Sequence, residues 1–126
     1  MPRKNRFSDL SGRFTPAPYQ QLNSIWLEGT VLGEPEVGES SGLEGCRAVY
    51  RFEVATSRWQ VQDQEVSVFA VEVSEPKEEL RRALTRGRGV RILGRLHQTR
   101  WTDQAGRPHN EVHIVGNSVE PRPKLQ

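Results

Sequence analysis

The stretch "SEPKEELRRALTRG" (Ser74–Gly87) is where the hydrophobic period of this chain changes. Leu80, Ala83 and Leu84 fall on one stripe at helical spacing. Ser74 stands where an N-cap is expected, Pro76 suits a first turn, and Gly87 suits a helix stop. One short amphipathic helix is predicted here.

On both sides of this helix the apolar residues alternate with polar ones, the period of a half-buried strand. Upstream, "SIWLEGTVL" (Ser24–Leu32) sends Ile25, Leu27, Gly29 and Val31 to one face and Trp26, Glu28 and Thr30 to the other. "CRAVYRFEVAT" (Cys46–Thr56) places Cys46, Ala48, Tyr50, Phe52 and Val54 inward, with Cys46 expected as a small buried side chain. "EVSVFAVEV" (Glu65–Val73) is a third strand. "GEPEVGESSGLEG" (Gly33–Gly45) is rich in Gly and Ser and is expected to be a loop. Downstream, "GVRILGRLHQT" (Gly89–Thr99) and "EVHIVGNSV" (Glu111–Val119) form two strands joined through "TDQAGRPHN" (Thr102–Asn110). The order is three strands, one helix, two strands. That order predicts an all-β chain with the OB-fold, a five-stranded Greek-key barrel with one short helix between its third and fourth strands. Gly29 and Gly94 fall mid-strand, where tight coiling leaves no room for a side chain.

With 126 residues and 34% hydrophobic content, the chain suits one compact domain with polar ends. Residues 1–22 are expected to form a flexible basic arm, 23–119 the folded domain, and 120–126 a C-terminal tail. The single cysteine excludes an internal disulfide, and no apolar run reaches the ~20 residues that span a bilayer. The start lacks the apolar stretch of a signal peptide, so neither secretion nor a membrane partner is expected, and the cytoplasm is the expected place.

Catalytic chemistry finds little support. His97, His109 and His113 lie on strands or a turn, not at helical metal-ligand spacing, and are expected to point outward. No nucleophile elbow or P-loop is present; the glycines of "RGRGVRILG" read as a helix stop and a strand start. No metal, cofactor or enzymatic activity is expected.

The net charge of +2 is small, but its distribution is uneven. Arg86, Arg88, Arg91, Arg95 and Arg100 follow one another with no intervening Asp or Glu, whereas Glu28, Glu34, Glu36, Glu39 and Glu44 stand without Lys or Arg between them. This sorting predicts a positive side that attracts phosphates and a separate negative side. Trp59 follows Arg58 at the exit of the second strand, and Trp101 follows Arg100 near the end of the fourth. Flat rings for base stacking beside cations for phosphates are what sequence-tolerant binding of single strands requires. The predicted site is therefore Trp59, Trp101, Arg58, Arg86, Arg88, Arg91, Arg95 and Arg100, and Trp26 is assigned to core or subunit packing.

"NSIWLEGTVLGEPEV" (Asn23–Val37), "FEVATSRW" (Phe52–Trp59) and above all "LTRGRGVRILGRLHQTRWTDQAG" (Leu84–Gly106) resemble the bacterial single-stranded DNA-binding proteins. The resemblance implies an OB-fold that binds single-stranded DNA without sequence preference and protects it in replication, recombination and repair. It also implies a homotetramer associated with the nucleoid, with Trp59 and Trp101 at base-stacking positions and Arg100 at a basic one. Val66 and Ser67 stand where the family usually has a stacking aromatic and a subunit-contact histidine. Residues 120–126 do not resemble the family's acidic tip, which recruits replication and repair proteins. These departures support an alternative reading: a primosome-type OB protein that acts mainly through other proteins and binds DNA weakly.

Overall fold

The computed structural model describes residues 21–42, 45–58 and 65–123. The first 20 residues of the expected arm, Trp59, and the last three residues of the expected tail lie outside the described residues. In chain order the elements are β1 (Ile25–Val31), β2 (Glu36–Gly42), β3 (Gly45–Arg58), β4 (Glu65–Ser74), α1 (Glu78–Ala83), β5 (Gly89–Thr102) and β6 (Pro108–Pro121).

The strands run in the order β1-β5-β6-β4-β3-β2, and β1 also pairs with β3. That additional pairing returns the sheet to its own first strand, so β1, β5, β6, β4 and β3 form a closed ring. Thr30 makes the closure: it stands opposite Gly89 of β5 on one side and Ala55 of β3 on the other. All ring pairings are antiparallel except β4 with β6. This is the connectivity of the OB-fold, with the helix between the third and fourth ring strands.

The interior is filled by the residues that the alternation sends inward. Val31, Phe52, Val54, Val71, Val73, Val90, Ile92 and Ile114 are buried, and Leu84 from the end of α1 closes the core. Gly29 and Gly94 sit where backbones pass closest. A Cβ on Gly94 would lie 2.1 Å from the carbonyl oxygen of Val115, and one on Gly29 would lie 2.5 Å from that of Ala55. Beside Gly94, β6 carries one extra residue, because Leu93 pairs with Ser118 and Gly94 already with Gly116.

Three local expectations are corrected. Gly33–Gly45 is not a loop throughout: Glu36–Gly42 pairs with β3 from Arg51 to Gly45. β2 joins β3 alone and leaves Val37, Gly38 and Glu39 exposed, so main-chain hydrogen bonds rather than an apolar face make it a strand. Cys46 lies on this projecting hairpin and is exposed, not buried. The helix also starts later than Ser74, which is the last residue of β4. The Glu75 amide donates to the Ala48 carbonyl at 2.8 Å, tying the chain to β3. Lys77 therefore becomes the N-cap of a six-residue helix, without a side-chain cap.

Candidate nucleic-acid interface

β5 and β6 are 14 residues each, twice the length of β1. Ile25 at the start of β1 pairs with Gly94, so from Arg95 onward β6 is the one strand described beside β5; the Asn23 side chain bonds the Leu96 backbone there, Nδ2 donating to the carbonyl and Oδ1 accepting from the amide, both at 2.9 Å. The two strands leave the ring as a ribbon, and every β5 residue from Arg95 to Thr102 is exposed. β3 and β4 form a second ribbon, paired as far as Arg58 with Glu65. Arg58 stands at its end and Trp59 beyond it, outside the described residues.

Trp101 sits near the end of the β5–β6 ribbon and is 45% exposed. Its cross-strand partner is His109, whose ring lies against the indole at 5.4 Å between centroids and 14° between planes. One face of the indole is therefore covered by imidazole.

The tip holds His109 in turn. Asp103 Oδ1 accepts from the amides of Ala105 (2.9 Å) and Arg107 (2.8 Å), which fixes the carboxylate in the turn. Its Oδ2 lies 2.8 Å from His109 Nε2 and 3.4 Å from Arg107 Nε. The His109 bond first, then the backbone donors, hold the Asp103 carboxyl below the usual carboxylate range. Gly106 takes φ +81, the left-handed conformation that lets the turn close. The spacing Trp101–Asp103–His109 carried this arrangement in the sequence, but only the pairing register reveals it.

The arginines do not form one cluster. Arg86 and Arg88 line an open recess of about 620 Å³ beside the start of β5, together with Thr85, Gly87 and Arg122. Arg88 Nε donates to the Arg122 carbonyl at 3.0 Å. Next along the strand, Arg91 is paired with Glu28 across β1, Nη2 to Oε1 at 2.8 Å. Arg95 is exposed on the ribbon opposite Val115. Arg100 and Trp101 come last, roughly 40 Å from Gly89 at about 3.3 Å per residue. Arg91, Arg95 and Trp101 share one strand parity, whereas Arg100 has the other. The expected separation of charge is corrected at Glu28: antiparallel pairing of β1 with β5 sets an acid from the negative stretch against an arginine from the positive one.

His113 was expected to point outward and instead is buried, at 4% exposure. It stands on the outer side of the ring, opposite His97, whose ring meets it edge-on at 5.3 Å. Its Nε2 is 3.1 Å from Glu72 Oε2. The angle there is wrong for a hydrogen bond, and neither ring nitrogen makes one. Arg51 reaches both Glu72 and Glu111, so an ion network joins β3, β4 and β6 and includes the carboxylate beside the imidazole. Of the two places expected for Trp26, core or subunit packing, the structure removes the first. The residue is 77% exposed on the outer side of β1, opposite Leu93, and takes no part in the core.

Among solved structures, the fold is similar to that of Plasmodium falciparum SSB in complex with ssDNA. The TM-score is 0.67 at 23% identity, covering 83% of this chain and 96% of that one. No curated protein matches the chain. The model of the single-strand binding protein family matches residues 22–121, a span that includes every strand described above. The chain belongs to the single-strand binding protein family.

Proposed function

We propose that this protein binds single-stranded DNA without sequence preference and shields it during replication, recombination and repair. It works as a binder and not as an enzyme. Family membership supports the ligand class, as does the likeness in fold to a protein solved with ssDNA. The observation that carries the reading is the exposed Trp101 indole on a ribbon that projects beyond the ring. Bases stack on Trp101 and Trp59, while Arg58, Arg86, Arg88, Arg95 and Arg100 follow the phosphates; Arg91 joins only by leaving Glu28. With stacking worth about 1–3 kcal/mol per base, the indoles need these cations to reach useful affinity. The wide spacing of the arginines suits a strand laid along β5 better than a compact ligand. Several copies, expected as a homotetramer, let one long strand be held at many such sites in the cytoplasm, beside the nucleoid.

The test is binding of labelled oligo-dT followed by anisotropy, comparing the chain with its W59A/W101A double variant. Losing two stacks should weaken binding by roughly 30-fold or more. Equal affinity of the two proteins would remove the mechanism. The primosome-type reading draws on Val66, which is 59% exposed on β4 where the family usually stacks a base. Weak oligo-dT binding at physiological salt, together with tight protein partners, would favour it.

A further inference from the structure

Trp101 has two faces, and the structure leaves only one for a ligand. The other is taken by His109, which Asp103 fixes by one carboxylate oxygen while its second oxygen is fixed by the turn. A lone exposed indole on a two-stranded ribbon would sample several rotamers and lose that freedom on binding a base. A ring clamped from behind is already oriented. We propose that Asp103 and His109 are positioning residues that hold the Trp101 indole as a one-sided stacking platform. The inference rests on the DNA-binding reading for its purpose, though not for its geometry.

His109 lies stacked on the indole face and bonded to the Asp103 carboxylate, and those two contacts set its position. The groups facing it are few among the described residues. Trp101 lies across from it on β5, and Asp103 and Arg107 come from the tip. Glu111, two residues along the same side of β6, is engaged by Arg51. Arg107 competes for the same Asp103 oxygen, at 3.4 Å against 2.8 Å for His109.

The experiment uses a W26F/W59F background, so that Trp101 is the only tryptophan, and adds H109A, H109F or D103N. Asparagine at 103 keeps Oδ1 for the turn amides and replaces the acceptor that faces His109. Two signals are read on the free protein: the near-ultraviolet circular dichroism of the indole and the position of its emission maximum. H109A should lose indole dichroism and shift its emission to the red as the covered face meets water, and H109F should keep both signals near those of the parent. Oligo-dT affinity should fall about two- to tenfold in H109A and D103N, the scale of one aromatic pair, and return in H109F, which restores a flat ring. Unchanged spectra and unchanged affinity in H109A and D103N would overturn the proposal. If the unsubstituted chain does not bind oligo-dT, the functional reading fails, and the spectra alone still decide the clamp.

Discussion

Glu28 holds two guanidinium groups, Arg91 at 2.8 Å and Arg122 at 2.9 Å. The hydrogen bond from Arg91, helped by the charge of Arg122, keeps its carboxyl below the ordinary value of 4.5. A carboxylate with a depressed folded value stabilises the protein above its unfolded value, and that contribution is lost as pH falls through the folded value. Glu28 thus stays ionised at neutral pH and can hold Arg91 there. Each phosphate neutralised by a cation adds about −0.7 to the salt slope of single-strand binding. With Arg91 engaged, the five arginines Arg58, Arg86, Arg88, Arg95 and Arg100 contribute, a slope of roughly −3.5. E28Q should release Arg91 and steepen the slope to about −4.2, with tighter binding at low salt. Titrations of oligo-dT at several salt concentrations check this, and identical slopes for both proteins would show that Arg91 never reaches phosphate.

The β5–β6 ribbon owes its direction to one crowded point, where Gly94 meets Val115 and β6 carries its extra residue. G94A puts a methyl group 2.1 Å from a backbone oxygen, which only a shift of the strands can relieve. Overpacking of this kind costs about 1–3 kcal/mol, so the melting temperature should drop by several degrees. A melting temperature equal to that of the parent would mean that the ribbon leaves the ring without needing this glycine. The need for small residues at Gly29 and Gly94 was legible in the sequence because glycine interrupts an otherwise regular alternation there. So were the core of the ring and the place of the helix, since Phe52, Val54, Val71, Val73, Val90 and Ile92 follow period two without a break. β2 was not legible, because a strand that buries neither face leaves no hydrophobic period to read. His113 escaped for a related reason: an imidazole on the outer parity looks exposed until His97 and Glu72 are known to stand against it from neighbouring strands. The Trp101–His109 stack depends on a register that pairs residues eight apart across a turn, which no single stretch of sequence specifies.

At the scale of the whole molecule, Trp26 is the residue a lone subunit does not explain. It is 77% exposed on the outer side of the ring, with Leu93 across from it and the 93% exposed Leu22 shortly before β1. A large indole left in water on a regular strand is costly for a monomer and ordinary for a subunit interface. Trp26 packing against another copy is therefore the natural origin of the proposed tetramer. W26E should leave each subunit folded, since the side chain contributes nothing to the core, while placing a charge where two apolar surfaces meet. Sedimentation should show a tetramer for the parent and a smaller species for W26E, with the melting transition of the isolated subunit retained. DNA length provides the functional readout. Linked sites on one strand gain from effective concentration, whereas a single site does not. Short oligo-dT should bind W26E nearly as well as the parent, and long oligo-dT should bind it far more weakly. A parent that sediments as a monomer, or a W26E variant of unchanged mass, would separate Trp26 from assembly and leave its exposure to be accounted for by a different partner.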